Sequence, residues 1–240
     1  STARMDGGSA QLGTQTAALY SGGYVNPSPG LTAVTEEYNG NGWATGGAMS
    51  SARMSAAGGG TQTAAFVAAG QYPTFTATEE YDGSSWTGGG AYPAAIHSIA
   101  GMGTQTAGLL AAGDTHQAFE YDGSSWTNGG STTSDHDGGS DTGLQTAALV
   151  SAGFESPGSG RITACETYDG TSFSTSSGTL TQGRYGSGRG GAVGTTAFIC
   201  GGSANPGTQS VTEEFHVTVN TVTGAAWASG GNIGTARRFL

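Results

Sequence analysis

Gly13-Thr14-Gln15-Thr16-Ala17 decides the fold because it returns, as GTQTA at Gly60 and Gly103, as GLQTA at Gly143 and as GTTAF at Gly194. The intervals are 47, 43, 40 and 51 residues, a period that marks an array of supersecondary units. A second landmark follows each first one: Glu37-Tyr38-Asn39-Gly40, Glu80-Tyr81-Asp82-Gly83, Glu120-Tyr121-Asp122-Gly123, Tyr168-Asp169-Gly170 and the weaker Glu214-Phe215. A third is an aromatic five residues beyond that Tyr, namely Trp43, Trp86, Trp126 and Phe173; in the last repeat it slips to Trp227, twelve beyond Phe215, which implies an insertion. The expected organisation is one domain over 1–240, with units near 3–51, 52–94, 95–134, 135–182 and 183–234 and a tail at 235–240.

Each unit reads as all-β, since its segments are short, rich in Thr, Val, Tyr and Trp, and bounded by Gly, Asp-Gly or Asn-Gly turns. In the second unit, residues 52–60 supply a first strand, Ala64 to Gly70 a second and Thr76 to Tyr81 a third; Asp82-Gly83 turns the chain into a fourth near Trp86. Four strands per 40 to 51 residues is the size of a propeller blade. The second strands are built of Ala and Gly without polar alternation, as expected where neighbouring sheets bury both faces, while Tyr and Trp sit in the third and fourth strands, where a wedge-shaped blade widens. The fold class is therefore all-β, a propeller of five four-stranded antiparallel blades closed into a ring. Thr235-Ala236-Arg237-Arg238 repeats the pattern of Thr2-Ala3-Arg4-Met5, so the chain ends as if opening a sixth unit.

Composition bounds the partners. Glycine contributes 46 of 240 residues, yet aromatics reach 9%, enough for a packed core, and only 10% of the chain is charged. Seven arginines, no lysine and 17 acids leave a net charge of −10; a basic footprint for nucleic acid or anionic lipid is missing. No apolar run approaches the ~20 residues of a membrane span, so membrane insertion is not expected. Ser1 to Arg4 carry neither an initiator Met nor a signal-peptide core, which suggests a processed or excised piece. Cys165 and Cys200 fall on different units and fit no zinc spacing; they are expected to be separate thiols without a disulfide.

A glycine doublet closing the second strand (Gly22-Gly23, Gly201-Gly202), then a Tyr, then a Trp, with Arg or His opening each unit (Arg4, Arg53, His97, His136, Arg184), resembles the kelch repeat of β-propellers over nearly the whole chain. The doublet is reduced to Ala-Gly at Ala69, Ala112 and Ala152. The Ala- and Thr-rich repeats are most similar to kelch-like arrays of phage virion and bacterial extracellular proteins. Some kelch propellers are copper oxidases, but their Tyr, His and Cys ligands cannot be placed in this sequence.

The paired carboxylates Glu36-Glu37, Glu79-Glu80 and Glu213-Glu214 recur at one position of several units, whereas a catalytic pair is needed once. Adjacent strand residues also point to opposite faces. A structural role follows, bonding loop amides or a neighbouring Arg. Asp82-Gly83-Ser84-Ser85 and its copies read as hairpin turns. The acidic stretch Ser134 to Asp141, with three acids and a His found in one repeat only, is the better metal candidate, yet a solvated loop is the reading favoured because flexible Gly-Gly-Ser spacing does not preorganise metal ligands. The four histidines, two in the third unit and one each in the fourth and fifth, compose no nucleophilic triad by spacing. No catalytic residue, metal or cofactor is expected.

In an up-and-down blade the tight turns share one face, and the loops from strand two to three and from blade to blade share the other. That second face is variable here, so binding is expected there. Its candidates are Tyr24, Tyr72, Tyr92, His97, His116, Arg161, Arg184 and Tyr185. The function expected is a non-enzymatic structural or binding propeller of an exterior surface, a phage fibre or virion component or a secreted adhesin, taking protein or glycan, or other subunits of a larger assembly. A kelch-type enzyme, copper oxidase-like or glycan-active, and an intracellular kelch adaptor are the alternatives.

Overall fold

The computed structural model describes residues 3–26, 30–71, 76–155, 160–217 and 226–229; the tail motif at 235–238 lies outside them. No helix occurs among the described residues. Five four-stranded antiparallel sheets form the blades of a β-propeller, each a meander in chain order. The first holds Gly8–Ser9, Ala18–Ser21, Thr35–Tyr38 and Trp43–Thr45; the second Ala57–Thr61, Ala64–Ala68, Thr78–Tyr81 and Trp86–Gly88. The third holds Ala100–Thr104, Ala107–Ala111, Gln117–Tyr121 and Trp126–Ser131. Ser140–Leu144, Ala147–Ser151, Cys165–Tyr168 and Phe173–Thr175 make the fourth, and Gly188–Val193, Thr196–Cys200, Thr212–His216 and Ala226–Ser229 the fifth.

Register explains the aromatic landmarks. Tyr38 lies opposite Trp43, Tyr81 opposite Trp86 and Tyr168 opposite Phe173. Phe215 lies opposite Trp227, so the insertion lengthens the connection and leaves the pairing intact. Asp82 Oδ1 accepts the amide protons of Ser84 and Ser85, both at 2.8 Å, and Gly83 takes φ +93°, which an L side chain rarely adopts.

By contact density the chain forms two compact units, residues 1–110 with 120–127, and residues 111–119 with 128–240. In the first, the repeated residues join one sheet to the sheet before it. The Gln62 amide donates to the carbonyls of Ala18 (3.1 Å) and Tyr38 (2.7 Å), and Gln105 donates to those of Ala65 and Tyr81, both at 3.0 Å. Trp86 Nε1 donates to Thr35 Oγ1 at 2.8 Å and Trp126 Nε1 to Thr78 Oγ1 at 2.9 Å. The Tyr81 hydroxyl donates to Glu37, and the Tyr121 hydroxyl to Glu80 at 2.7 Å. Ala10, Leu19, Ala65 and Tyr81 fill the space between, with Trp86 against them. Backbone also links the sheets: the Ser55 N–H donates to Asp6 O (2.8 Å) and the Ser98 N–H to Ser55 O (3.1 Å), all three residues having positive φ.

In the second unit, Leu149, Cys165, Leu180, Ile199 and Phe215 form the core. The second strands of the second, third and fourth sheets are buried over four consecutive residues, which accounts for their lack of polar alternation. Cys165 is buried, Cys200 half-buried, and both thiols are free.

Candidate functional site

The residue that opens each repeat is structural in four of the five. Arg4 bonds Glu36 at 3.0 Å, Arg53 bonds Glu79, His136 Nε2 lies 3.1 Å from Glu166 Oε1, and Arg184 bonds Glu213. Three of these glutamates also accept loop amides: Ser50 on Glu79, Thr133 and Ser134 on Glu166, Thr181 on Glu213. This is the role that recurrence of the carboxylates implied. Burial lowers the pKa of Arg53 and of Arg184, against the opposing pull of Glu79 and Glu213. In the third repeat Phe119 replaces the glutamate, and His97 has its Nδ1 3.2 Å from Ser98 Oγ.

These pairs correct one binding candidate. Arg184 is 1% exposed and committed to Glu213 and to the carbonyls of Gly201 and Val211, so it cannot meet a ligand. Tyr92 is corrected too: it is 2% exposed, its ring 5.0 Å from that of Trp126 in an edge-on contact, and burial raises its pKa well above the ordinary tyrosine range. Tyr72 lies outside the described residues. Tyr24 and His97 are half-buried in the first unit, Tyr24 in a two-residue hairpin with Gly30–Leu31.

The second unit brings the other candidates together. Phe154–Glu155 pairs with Gly160–Arg161 as a short hairpin, placing Phe154 directly opposite Arg161. Tyr185 arrives from the pair formed by Arg184–Tyr185 and Ser203–Ala204. The Arg161 guanidinium carbon lies 5.5 Å from the Phe154 ring centre and 5.2 Å from that of Tyr185, and the two rings are 4.5 Å apart. Both distances suit cation–π attraction. Arg161 Nη2 donates to Ser203 Oγ at 3.2 Å, its Nε has no partner, and it makes no salt bridge among the described residues. All three side chains are half-buried, so the cluster is accessible at its edge.

Beside this platform His116 is 46% exposed, with Nε2 2.8 Å from Asp135 Oδ1 and 3.9 Å from Glu155 Oε1. The expectation of a solvated acidic loop at 134–141 is corrected here. Asp135, His136 and Asp141 are buried, His136 on Glu166 and Asp141 on Arg189 at 2.9 Å. Sequence reasoning missed Phe154 and Glu155 as site residues and set Asp135 aside with its loop. Their signal was location: the first two share a loop with Arg161, and Asp135 stands where the other repeats have Ala3, Ala52, Ile96 and Gly183.

Five four-stranded antiparallel meanders define a β-propeller. A solved structure of this kind, that of YjhT, superposes with a TM-score of 0.75 over 92% of this chain and 84% of its own, at 16% sequence identity. No protein-family model and no curated protein sequence matches the chain.

Proposed function

We propose that this chain is a non-enzymatic binding propeller of kelch type, displayed on an exterior surface such as a virion or a secreted adhesin, which recognises a glycan or protein segment bearing a carboxylate. The observation that carries the reading is Arg161. It lies against a pair of aromatic rings, has no carboxylate partner of its own among the described residues, and stands among residues that depart from the repeat. A guanidinium offers a planar fork of donors suited to a carboxylate, while the rings supply flat apolar faces for a sugar ring or aliphatic chain at small entropic cost.

Arrayed acidic and neutral glycans, together with acidic peptides, test this directly. Binding should favour the carboxylate-bearing members and fall at least about tenfold in Arg161→Met and Tyr185→Ala, each removing a contact of ~1.4 kcal/mol or more. Retained binding in both variants would overturn the reading.

A further inference from the structure

We propose that His116 Nε2, Asp135 Oδ1 and Glu155 Oε1 form the three-ligand site of a divalent first-row cation, for which Zn2+ is the best match. The three ligand atoms lie within 4.8 Å of one another and come from three separate segments of the second unit. One imidazole nitrogen with two carboxylate oxygens suits Zn2+ or Mn2+, whereas Ca2+ and Mg2+ prefer shells made of oxygen alone. Ligands of a tetrahedral Zn2+ sit roughly 3.4 Å apart when bonds are near 2.1 Å. The separations from His116 Nε2, 2.8 and 3.9 Å, bracket that value.

The acid is particular to this repeat. Asp135 immediately precedes the column residue His136, where the other repeats place Ala, Ile or Gly, and its side chain is only 6% exposed. Asp135 and Glu155 bring two carboxylates, one of them buried, to a single imidazole, and a divalent cation would balance both.

The segments are also fixed in advance. The Thr132 N–H donates to His116 O at 2.8 Å, and its hydroxyl to Ser134 O at 2.7 Å, tying the loop of His116 to the segment of Asp135. Asp137 and Phe154 exchange both backbone bonds, at 3.1 and 2.9 Å, which ties Asp135 to the strand of Glu155. The Asp135 N–H donates to Glu155 Oε2 at 3.4 Å, leaving Oε1 for the cation. Beside His116, Thr115 Oγ1 is buried and makes no hydrogen bond. Preorganisation of this kind is what separates a metal site from a chance group of acids.

Calorimetric titration of the chelator-treated full chain with ZnCl2 tests the proposal, alongside CaCl2, MgCl2 and the variants His116→Ala, Asp135→Asn and Cys200→Ser. The expected result is one saturable Zn2+ equivalent, unchanged in Cys200→Ser, weakened at least about tenfold in both ligand variants, with no saturable Ca2+ or Mg2+ binding. His116 is exposed, so its variant keeps the fold and decides the question should Asp135→Asn melt early. Absence of saturable Zn2+ binding, binding within threefold of the parent in His116→Ala, or loss in Cys200→Ser would overturn it. Glycan or protein recognition does not enter the measurement, so its outcome is independent of the ligand assigned above.

Discussion

Phe198 stands in the fifth sheet where Phe66 stands in the second, each opposite a glycine of the preceding strand and a glutamate of the following one, yet Phe66 is fully buried and Phe198 is 43% exposed. The difference is packing: Phe66 lies 6.0 Å from the rings of both Tyr121 and Trp126, whereas Phe198 has no ring contact among the described residues. One repeat position therefore carries two energies. Phe66→Ala should cost ~3–5 kcal/mol in urea unfolding, and Phe198→Ala less than ~1. Equal costs would show that the repeat position, and not its covering, sets the energy.

The Arg53–Glu79 pair is buried on both sides. Removing one partner strands the other charge, so Arg53→Ala should destabilise by ~3–5 kcal/mol. In the third repeat, where Phe119 replaces the glutamate, His97→Ala should cost under ~1 kcal/mol. Thermal melts of the two variants provide the check.

Ala69, Ala112 and Ala152 have φ of +60°, +61° and +63°, while Gly22 and Gly201 hold the same repeat position at +65° and +67°. The left-handed conformation penalises a Cβ, so glycine at each alanine should raise stability by up to about 1 kcal/mol, part of the gain being offset by glycine's greater freedom when unfolded. Gly22→Ala should do the opposite and more strongly, because its Cβ would come within 2.7 Å of Arg53 O. Denaturation midpoints of the four variants read this out.

Tyr81 and Tyr121 should make the protein sensitive to alkali. Burial, with help from the carboxylates of Glu37 and Glu80, pushes both phenols up to about 12. Between pH 10 and 12 the unfolded chain loses these protons while the folded one keeps them. Stability is therefore fully present below pH ~10 and declines as pH rises through that window. Tyr121→Phe should be less stable near neutrality, yet lose less over the alkaline range. An identical alkaline slope in the two proteins would refute the assignment.

Much of the fold could be read from residues that repeat, because each answers one local demand. Gly83 meets a turn, Trp86 a cross-strand partner and Glu79 a neighbouring arginine. The site was legible only in part. Arg161 and Tyr185 were marked as variable-loop residues, and the structure places them together. Tyr92 looked like the same kind of residue, but Trp126, more than thirty positions away, buries it. Arg184 belonged to the column of Arg4 and Arg53, and the glutamate doublet was the available clue to its partner. The meeting of His116, Asp135 and Glu155 had no spacing to reveal it, since loops of three lengths bring them together.

The backbone bonds through Asp6, Ser55 and Ser98 bear on how such a chain diverges. Because N–H and C=O groups make the joint, its first requirement is a backbone that tolerates positive φ. Those positions should favour Asp, Asn, Ser and Gly and exclude Val, Ile and Thr. Gln62 and Gln105 likewise grip carbonyls, so the sheets they hold are free to exchange side chains. An architecture fastened in this way can keep its shape while its ancestry fades from the sequence.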